Sequence, residues 1–192
     1  ISGINVTAPH KVEVMKYIDV VTDGAKKLGS VNTVVNRDGK LYGYNTDADG
    51  FCMALTKAGI EIENSRILII GAGGVVRPTL IRLIDNKPKS ITVVNRTKSK
   101  AKTLAEDILK STGFEVNTEI DKLEFDIVIN TTSAGMEPQE NVMPIDNIEE
   151  INDLSFINEN TAAVDMIYNP DKTLFLQEAE KRGAKILNGL GM

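Results

Sequence analysis

The chain has 192 residues, of which 42% are hydrophobic and 26% charged, and its formal net charge is −5. This composition is typical of a globular protein with an ordinary apolar core, and an acidic chain lacks the basic surface that a general nucleic-acid binder needs. No apolar run reaches the roughly 18 residues that cross a membrane, and no leader resembles a signal peptide. We therefore expect no membrane or nucleic-acid partner, and a single cysteine, which allows no internal disulfide, fits a reducing cytoplasm best. The single cysteine, Cys52, lies in an apolar stretch and is expected to pack against the core.

The first third of the chain predicts short strands and helices. Asp38-Gly39 is a strong hairpin signal, because both residues tolerate positive φ. Pro9 suits the first position of a helix, and Gly59 suits the end of one. The predicted elements are a strand at 3–7, a helix that opens at Pro9, strands at Val31–Asn36 and Leu41–Tyr44, and a helix at Ala48–Ala58.

From Arg66 onward, apolar strands alternate with helices. Residues 66–70 form a continuous apolar run, as expected of a strand buried on both faces of a parallel sheet. The alternation implies right-handed βαβ units and a doubly wound, Rossmann-type α/β fold, with a domain boundary near Asp47–Ala48. The predicted elements are a strand at Arg66–Ile70, a helix to about Asp85, a strand at Ser90–Asn95, a helix at Ser99–Lys110, a short strand near Val116, a strand at Asp126–Asn130, a polar loop through Asp146, a strand at Ala162–Ile167, a helix at Lys172–Arg182 and a strand at Ala184–Leu187.

A glycine loop, Gly71-Ala72-Gly73-Gly74-Val75, separates a predicted buried strand from a predicted helix. That context is the one a dinucleotide-binding fingerprint requires. Gly71 permits the tight turn, Gly73 lets the backbone approach a pyrophosphate, and the helix N-terminus supplies free N–H groups. Val76 replaces the third glycine of the fingerprint and is expected to push the helix slightly away from the strand. A plain strand-to-helix turn is the alternative.

Asn95-Arg96-Thr97 follows the next strand, about 20 residues after the glycine loop, where an NAD enzyme places an acidic residue. The guanidinium of Arg96 can pair with a 2′-phosphate through two hydrogen bonds. The predicted cofactor is therefore NADP(H) rather than NAD. The alternative is that Arg96 and the neighbouring lysines form a solvated start of a helix.

Polar residues collect at three predicted strand ends in the first 50 residues: near Thr7 and Lys11, at Asn32-Thr33, and at Asn45-Thr46-Asp47. Together they suggest strand ends that converge on one polar ligand, although Thr46 or Asp47 alone could simply cap a helix. Lys11 could be a surface lysine, but the start of a helix disfavours a cation, which favours a functional role. His10, the only histidine, is not expected to act as a general base.

The order and content of these motifs resemble the shikimate dehydrogenase family. The resemblance rests on Asn-Val-Thr-x-Pro-x-Lys (5–11), Gly-Ser-Val-Asn-Thr (29–33), Asp-Gly-Lys-Leu-Tyr-Gly-Tyr-Asn-Thr-Asp (38–47), Gly-Ala-Gly-Gly (71–74), Asn-Arg-Thr (95–97), Asn-Thr-Thr-Ser-Ala-Gly-Met (130–136), Asp-Met-Ile-Tyr-Asn-Pro (165–170) and Asn-Gly-Leu-Gly-Met (188–192). It implies reduction of 3-dehydroshikimate to shikimate by NADPH, without a metal. It also implies that residues 1–47 belong to the second half of a substrate-binding α/β domain, and that 48–192 form the NADP-binding domain.

The resemblance also implies roles for individual residues. Lys11 matches the catalytic lysine and Asp47 its aspartate partner, while Thr7, Asn32 and Asp47 match positions that hydrogen-bond the substrate hydroxyls. The residues that match the cofactor site are Gly71, Ala72, Gly73, Gly74 and Val75 at the pyrophosphate, Asn95, Arg96 and Thr97 at the 2′-phosphate, Thr131, Ser133 and Met166 along the groove, and Tyr168 and Gly189 on the nicotinamide side.

Two family features are missing from this sequence: a Ser-x-Ser pair that binds the substrate carboxylate, and a C-terminal helix that contributes a glutamine to the substrate. We therefore expect a chain that binds NADP(H) but turns over poorly by itself, since loss of substrate orientation is costly to the rate. Alternatives are a quinate/shikimate dehydrogenase of broader specificity, whose members often prefer NAD, and a non-catalytic NADP-binding module. A monomer or a homodimer is expected.

Overall fold

Two separate sheets organise the protein in the computed structural model, which describes residues 1–7, 9–151 and 153–192. The first sheet has four strands in the order β1-β3-β4-β2, where β3 pairs antiparallel with both β1 and β4, and β2 pairs parallel with β4. The strands are β1 Gly3–Asn5, β2 Val20–Val21, β3 Thr33–Arg37 and β4 Lys40–Tyr44. The predicted hairpin turn between β3 and β4 is confirmed, because Asp38 and Gly39 have φ values of 52° and 84°.

The segment between β1 and β3 differs from the sequence prediction. The helix predicted to open at Pro9 is wrong: residues 9–12 form turns, and a short 3₁₀ helix follows at Glu13–Tyr17. The first strand ends at Asn5, and Ala8 lies outside the described residues. Strand β2 and helix α1, Asp23–Leu28, were not predicted either, because elements this short do not build a visible hydrophobic period.

The second sheet has five parallel strands in the order β6-β5-β7-β8-β9, which confirms the doubly wound, Rossmann-type α/β fold. The predicted strand near Val116 reduces to a single bridge between Thr92 and Asn117. The elements are helix α2 Asp47–Lys57, β5 Arg66–Ile70, helix α3 Val76–Asp85, β6 Ser90–Val94, helix α4 Lys98–Thr112, β7 Ile127–Asn130, β8 Ala162–Asp165, helix α5 Leu174–Lys181, β9 Lys185–Leu187 and a 3₁₀ helix at Gly189–Gly191.

The position of β5 in the sheet explains why its sequence is a continuous apolar run and does not alternate between apolar and polar residues. Ile67 and Ile69 face a core formed with α2, α3 and α4, whereas Leu68 and Ile70 face a second core formed with α5. All four side chains are fully buried, so both faces of this central strand need apolar residues. The long β7–β8 connection helps to cover the second face, through buried side chains that include Ile148 and Phe156.

The topology places a crevice at the carboxyl ends of β5 and β7. After β5 the chain moves outward to β6, and it then crosses to the other side of β5 to form β7. In open parallel sheets, ligands bind where the strand order reverses in this way. The glycine loop after β5 and the polar loop after β7 therefore border the same crevice.

Val76 and Cys52 both pack in the apolar core on the α2–α4 side of the sheet. Val76 is fully buried at the start of α3, so the core accommodates a side chain where the fingerprint has glycine. The expected outward shift of α3 stays a prediction. Burial raises the pKa of the Cys52 thiol to about 11, which keeps the sulfur neutral and unreactive near neutral pH. None of the helices among the described residues is long and apolar enough to cross a membrane.

We expect Leu80→Ala, at a fully buried position of α3, to lower the free energy of unfolding by about 2–5 kcal/mol through lost burial and a cavity. Urea denaturation followed by circular dichroism measures the change. Leu109→Ala is the matched control, because Leu109 on α4 is 49% exposed and its truncation is expected to cost less than about 1 kcal/mol. Equal losses in the two variants would contradict the assignment of Leu80 to the core.

Candidate functional site

A hydrogen-bonded group of three polar residues lies where helix α2 begins. The Lys11 Nζ donates to Asp47 Oδ2 at 2.5 Å, and the Asn32 side-chain amide donates to Asp47 Oδ1 at 2.6 Å. The side chains of Lys11 and Asp47 are 28% and 29% exposed, so the pair is half-buried but open to solvent on one side. The structure thus brings together three of the four residues predicted to hold substrate.

Asn32 fixes the arrangement because every polar atom of its side chain is engaged. Its amide nitrogen also donates to Thr46 Oγ1 at 2.9 Å, and its carbonyl oxygen accepts from the Thr46 backbone N–H at 3.0 Å and from the Thr33 hydroxyl at 2.9 Å. Asn32 is buried, so these bonds also satisfy groups that water cannot reach. Thr46 does not cap α2 through its side chain. Asn32 therefore binds both the Asp47 carboxylate and the backbone of the residue that precedes α2.

Backbone contacts hold the loop that carries Lys11. The Val31 N–H donates to the Lys11 carbonyl at 2.8 Å, and the Asn32 N–H donates to the Tyr44 carbonyl at 2.9 Å. A buried Asn45 adds hydrogen bonds to Ser30, with 2.8 Å between the Asn45 amide nitrogen and the serine hydroxyl. The two backbone bonds fix the positions of Lys11 and Asn32.

Thr7 and His10 lie near this group in sequence but do not join its hydrogen bonds. Among the described residues, neither side chain has a hydrogen-bond partner; the Thr7 carbonyl accepts from the His10 backbone N–H at 2.9 Å. Both residues are exposed. The predicted contact of Thr7 with a substrate stays a prediction.

A groove of about 400 Å³ opens at the carboxyl ends of β5, β6 and β7. Its lining includes eight of the predicted cofactor residues: Gly71, Ala72, Gly73, Asn95, Arg96, Thr97, Thr131 and Ser133. The opposite wall comes from the β7–β8 connection, in residues that the sequence reasoning missed: Gln139, Val142, Met143, Pro144, Asn147 and Ile148. No periodic pattern marks this connection, so its approach to the glycine loop depends on tertiary packing alone.

Thr131 and Asn95 contact the glycine loop and fix its backbone conformation. Gly71 has a φ of 118°, and a Cβ there would collide with the hydroxyl of Thr131, which itself donates to the Ile70 carbonyl at 2.9 Å. The Ala72 N–H donates to Asn95 Oδ1 at 3.2 Å, and the Asn95 amide donates to the Thr97 carbonyl at 3.0 Å. Gly73 has nothing within 4 Å of its ideal Cβ position, so space remains for a ligand to approach the backbone.

Two cations line the groove without an ion pair among the described residues: Arg96 and Lys100. Lys98, which lies between them in sequence, is instead bound to Glu149 and Glu150 at 2.9 Å each. None of the described residues that line the groove is acidic. This corner of the groove therefore suits an anion. Lys100 was missed as a candidate, although its spacing from Arg96 at the start of α4 could have indicated it.

A buried network shapes the loop after β7. The Asn130 amide donates to Asp165 Oδ1 at 3.1 Å, the Thr173 hydroxyl donates to Asp165 Oδ2 at 2.7 Å, and the Ile167 N–H donates to Asp165 Oδ1 at 2.9 Å. Burial raises the pKa of the Asp165 carboxyl, and these donors oppose that shift. The Asn130 side-chain carbonyl in turn accepts from the Thr132 N–H at 2.9 Å, which orients the groove-lining loop.

The five remaining candidates do not line this groove. Gly74 and Val75 lead into α3, and Tyr168 is 64% exposed. Gly189 packs against the backbone of Met166 so closely that a Cβ would collide with the Met166 carbonyl. Met166, Tyr168 and Gly189 all follow β8 in the chain, and none of them lines the groove beside Arg96 and Lys100.

Comparison with known proteins identifies the relatives of this chain. A family model described as "Shikimate / quinate 5-dehydrogenase" matches residues 53–169, and one described as "Shikimate dehydrogenase substrate binding domain" matches residues 1–34. The chain belongs to the shikimate/quinate dehydrogenase family. This membership confirms the resemblance inferred from the motifs.

Individual members of the shikimate/quinate dehydrogenase family support the same assignment. A shikimate dehydrogenase (NADP(+)) of Geobacillus sp. (strain WCH70) is 45% identical over 100% of this chain and 69% of its own length. A shikimate dehydrogenase crystallised in complex with NADP+ superimposes with a TM-score of 0.88 at 39% identity, covering 100% of this chain and 66% of the other. The enzyme from Thermus thermophilus, in complex with NADP(H) and shikimate, gives 0.83 at 33% identity, with coverage of 100% and 68%. The chain thus spans about two thirds of the length of these relatives.

We expect Gly71→Ala to lower the free energy of unfolding by about 1–3 kcal/mol, because a side chain at this positive φ is strained and its Cβ would collide with the Thr131 hydroxyl. Thermal denaturation measures the effect. Gly74→Ala is the matched control within the same loop: its Cβ has open space and its φ is not positive, so a change below about 0.5–1 kcal/mol is expected. A stable Gly71→Ala variant would mean that the loop does not need the conformation described.

Proposed function

We propose that this chain is an NADP-dependent shikimate dehydrogenase that reduces 3-dehydroshikimate to shikimate with NADPH. The observation that carries the proposal is the hydrogen-bonded group of Lys11, Asp47 and Asn32, which combines a proton donor, a carboxylate and an amide at one half-buried site. Relatives that match nearly the whole of this chain are named shikimate dehydrogenase (NADP(+)), which supports the same activity here.

When bound, NADPH would supply the hydride that reduces the carbonyl carbon of the substrate. Negative charge then builds on the carbonyl oxygen, and the Lys11 ammonium stabilises it and donates a proton to it. Asp47 holds the ammonium in place through its 2.5 Å hydrogen bond, and its carboxylate can also accept a hydrogen bond from a substrate hydroxyl. Asn32 keeps the second oxygen of Asp47 engaged, which fixes the carboxylate plane. Thr7 is proposed to contact a further substrate hydroxyl.

The groove fits the phosphates of NADP(H). We assign the pyrophosphate to the backbone of Gly71, Ala72, Gly73, Gly74 and Val75, where a helix N-terminus presents free N–H groups. Arg96, with Asn95 and Thr97, is proposed to bind the 2′-phosphate, since it lines an anion corner that contains no carboxylate among its described residues. Thr131, Ser133 and Met166 would border the rest of the cofactor, and Tyr168 and Gly189 its nicotinamide side.

The same assignment divides the chain. Residues 1–47 are proposed to belong to the substrate-binding domain and residues 48–192 to the NADP-binding domain, so that Asp47 stands where the two meet. A cytoplasmic location is proposed because a single cysteine suits a reducing compartment. A monomer or homodimer and a low turnover of the chain on its own stay predictions.

Shikimate-dependent reduction of NADP⁺, with NAD⁺ in parallel, tests the proposed function and its cofactor. We expect NADP⁺ to be preferred, and Arg96→Ala to lower kcat/KM for NADP⁺ by about 10–100-fold while it changes the value for NAD⁺ by less than about threefold, because only NADP⁺ loses a charge-assisted hydrogen bond.

Lys102→Ala is the control for this measurement, because Lys102 lies on α4 outside the groove lining and pairs only loosely with Glu119, at 3.8 Å. Equal losses with both cofactors in Arg96→Ala would contradict the assignment of the 2′-phosphate. Binding of NADP⁺ without turnover with either cofactor would favour a non-catalytic NADP-binding module.

A further inference from the structure

Arg77 connects three helices immediately after the glycine loop. It occupies the first turn of α3, and its Nε donates to Asp107 Oδ2 on α4 at 2.6 Å. Its Nη1 donates to the carbonyl of Leu28 at 2.9 Å and approaches the carbonyl of Lys27 at 3.4 Å, both at the carboxyl end of α1. Carbonyls at a helix end lack partners within the helix and attract a cation, so α1 and Arg77 are complementary.

The segment that follows α1 contacts both members of the Lys11–Asp47 pair. Gly29 caps α1 with a φ of 70°, and its ideal Cβ position is only 3.0 Å from Arg77 Nη1, so a larger residue would disturb this contact. Two residues later, the Val31 N–H holds the Lys11 carbonyl at 2.8 Å. The next residue, Asn32, holds Asp47. The hydrogen bond from Arg77 to the end of α1 therefore fixes a segment that supports both members of the pair.

The planar guanidinium is required for this connection. It points donors toward α1 and α4 at the same time, which a lysine ammonium on its flexible stem does not reproduce. A separate contact between α1 and α3, the ion pair of Lys27 with Asp85 at 2.7 Å, lies at the far end of α3 from the glycine loop. It joins the same helices but contacts neither the loop nor the segment that ends at Asn32.

We propose that Arg77 is a positioning residue that couples the cofactor loop to the Lys11–Asp47 pair. The inference rests on the proposed function, because it requires NADP(H) to bind at the glycine loop. Binding there orders the start of α3, Arg77 transmits that order to the end of α1, and the segment from Gly29 to Asn32 then holds Lys11 and Asp47 more firmly.

Hydrogen exchange of the amides in residues 29–33, with and without saturating NADP⁺, tests the coupling without requiring turnover. In the unmodified chain we expect NADP⁺ to slow exchange in this segment by at least about threefold. In Arg77→Lys, we expect the NADP⁺ dissociation constant from calorimetry to stay within about threefold, because charge near the loop is kept, while the slowing of exchange is lost. Asp107→Asn, which removes the charge from the contact between Arg77 and α4 and so weakens it, should give an intermediate loss of the slowing even if Arg77→Lys folds poorly.

Lys27→Ala is the matched control, because it removes the ion pair of Lys27 with Asp85 between α1 and α3 but keeps the backbone carbonyls that Arg77 contacts, and we expect it to keep the effect of NADP⁺ on exchange. Slowed exchange in Arg77→Lys and Asp107→Asn equal to that of the unmodified chain would overturn the inference. The same would follow if Lys27→Ala lost the effect as completely as Arg77→Lys. Failure of the unmodified chain to bind NADP⁺ would instead contradict the proposed function, and the inference with it.

Discussion

The carboxylate of Asp47 is the point on which the arrangement of the first 50 residues depends. One oxygen accepts from Lys11 and the other from Asn32, so a turn after β1, the start of β3 and the start of α2 meet at one side chain. A half-buried carboxylate is costly unless its oxygens have partners, and here each oxygen has one. The first turn of α2 adds to this, because a helix N-terminus favours negative charge. The interaction that holds these segments together is also the one that orients the proposed proton donor.

The parallel sheet positions the proposed cofactor site. Loops that follow parallel strands meet at one edge, so residues far apart in sequence, such as Gly71, Asn95 and Thr131, border one groove. The last residues of the chain connect this sheet to the helix that carries Asp47. Gly189 packs on the backbone of Met166 after β8, and a Cβ at Gly50 of α2 would approach the backbone of Met192. Helix α2, which begins at Asp47, is thus packed against the five-stranded parallel sheet.

Prediction from sequence succeeded where a residue type is demanded by local physics. The apolar run of β5, the Asp38-Gly39 turn and the glycine loop each require particular residues, and their positions were predicted closely. The helix expected at Pro9 was wrong, and in its place the Lys11 carbonyl accepts from the distant Val31 N–H at 2.8 Å, a tertiary contact that a favourable residue at one helix position does not predict. The far wall of the groove, which includes Met143, could not be predicted, because an irregular connection is placed by its buried side chains and not by a repeating pattern.

The most direct test of the central claim is the effect of Lys11→Ala on shikimate oxidation and, separately, on NADP⁺ binding. If Lys11 is the proton donor held by Asp47, kcat/KM should fall by at least about 100-fold, the usual size of a general acid–base contribution, while the NADP⁺ dissociation constant should stay within about twofold because Lys11 does not line the groove. Lys16→Ala, an exposed lysine paired with Glu13, should change neither quantity. Turnover of Lys11→Ala equal to that of the unmodified chain would contradict the account.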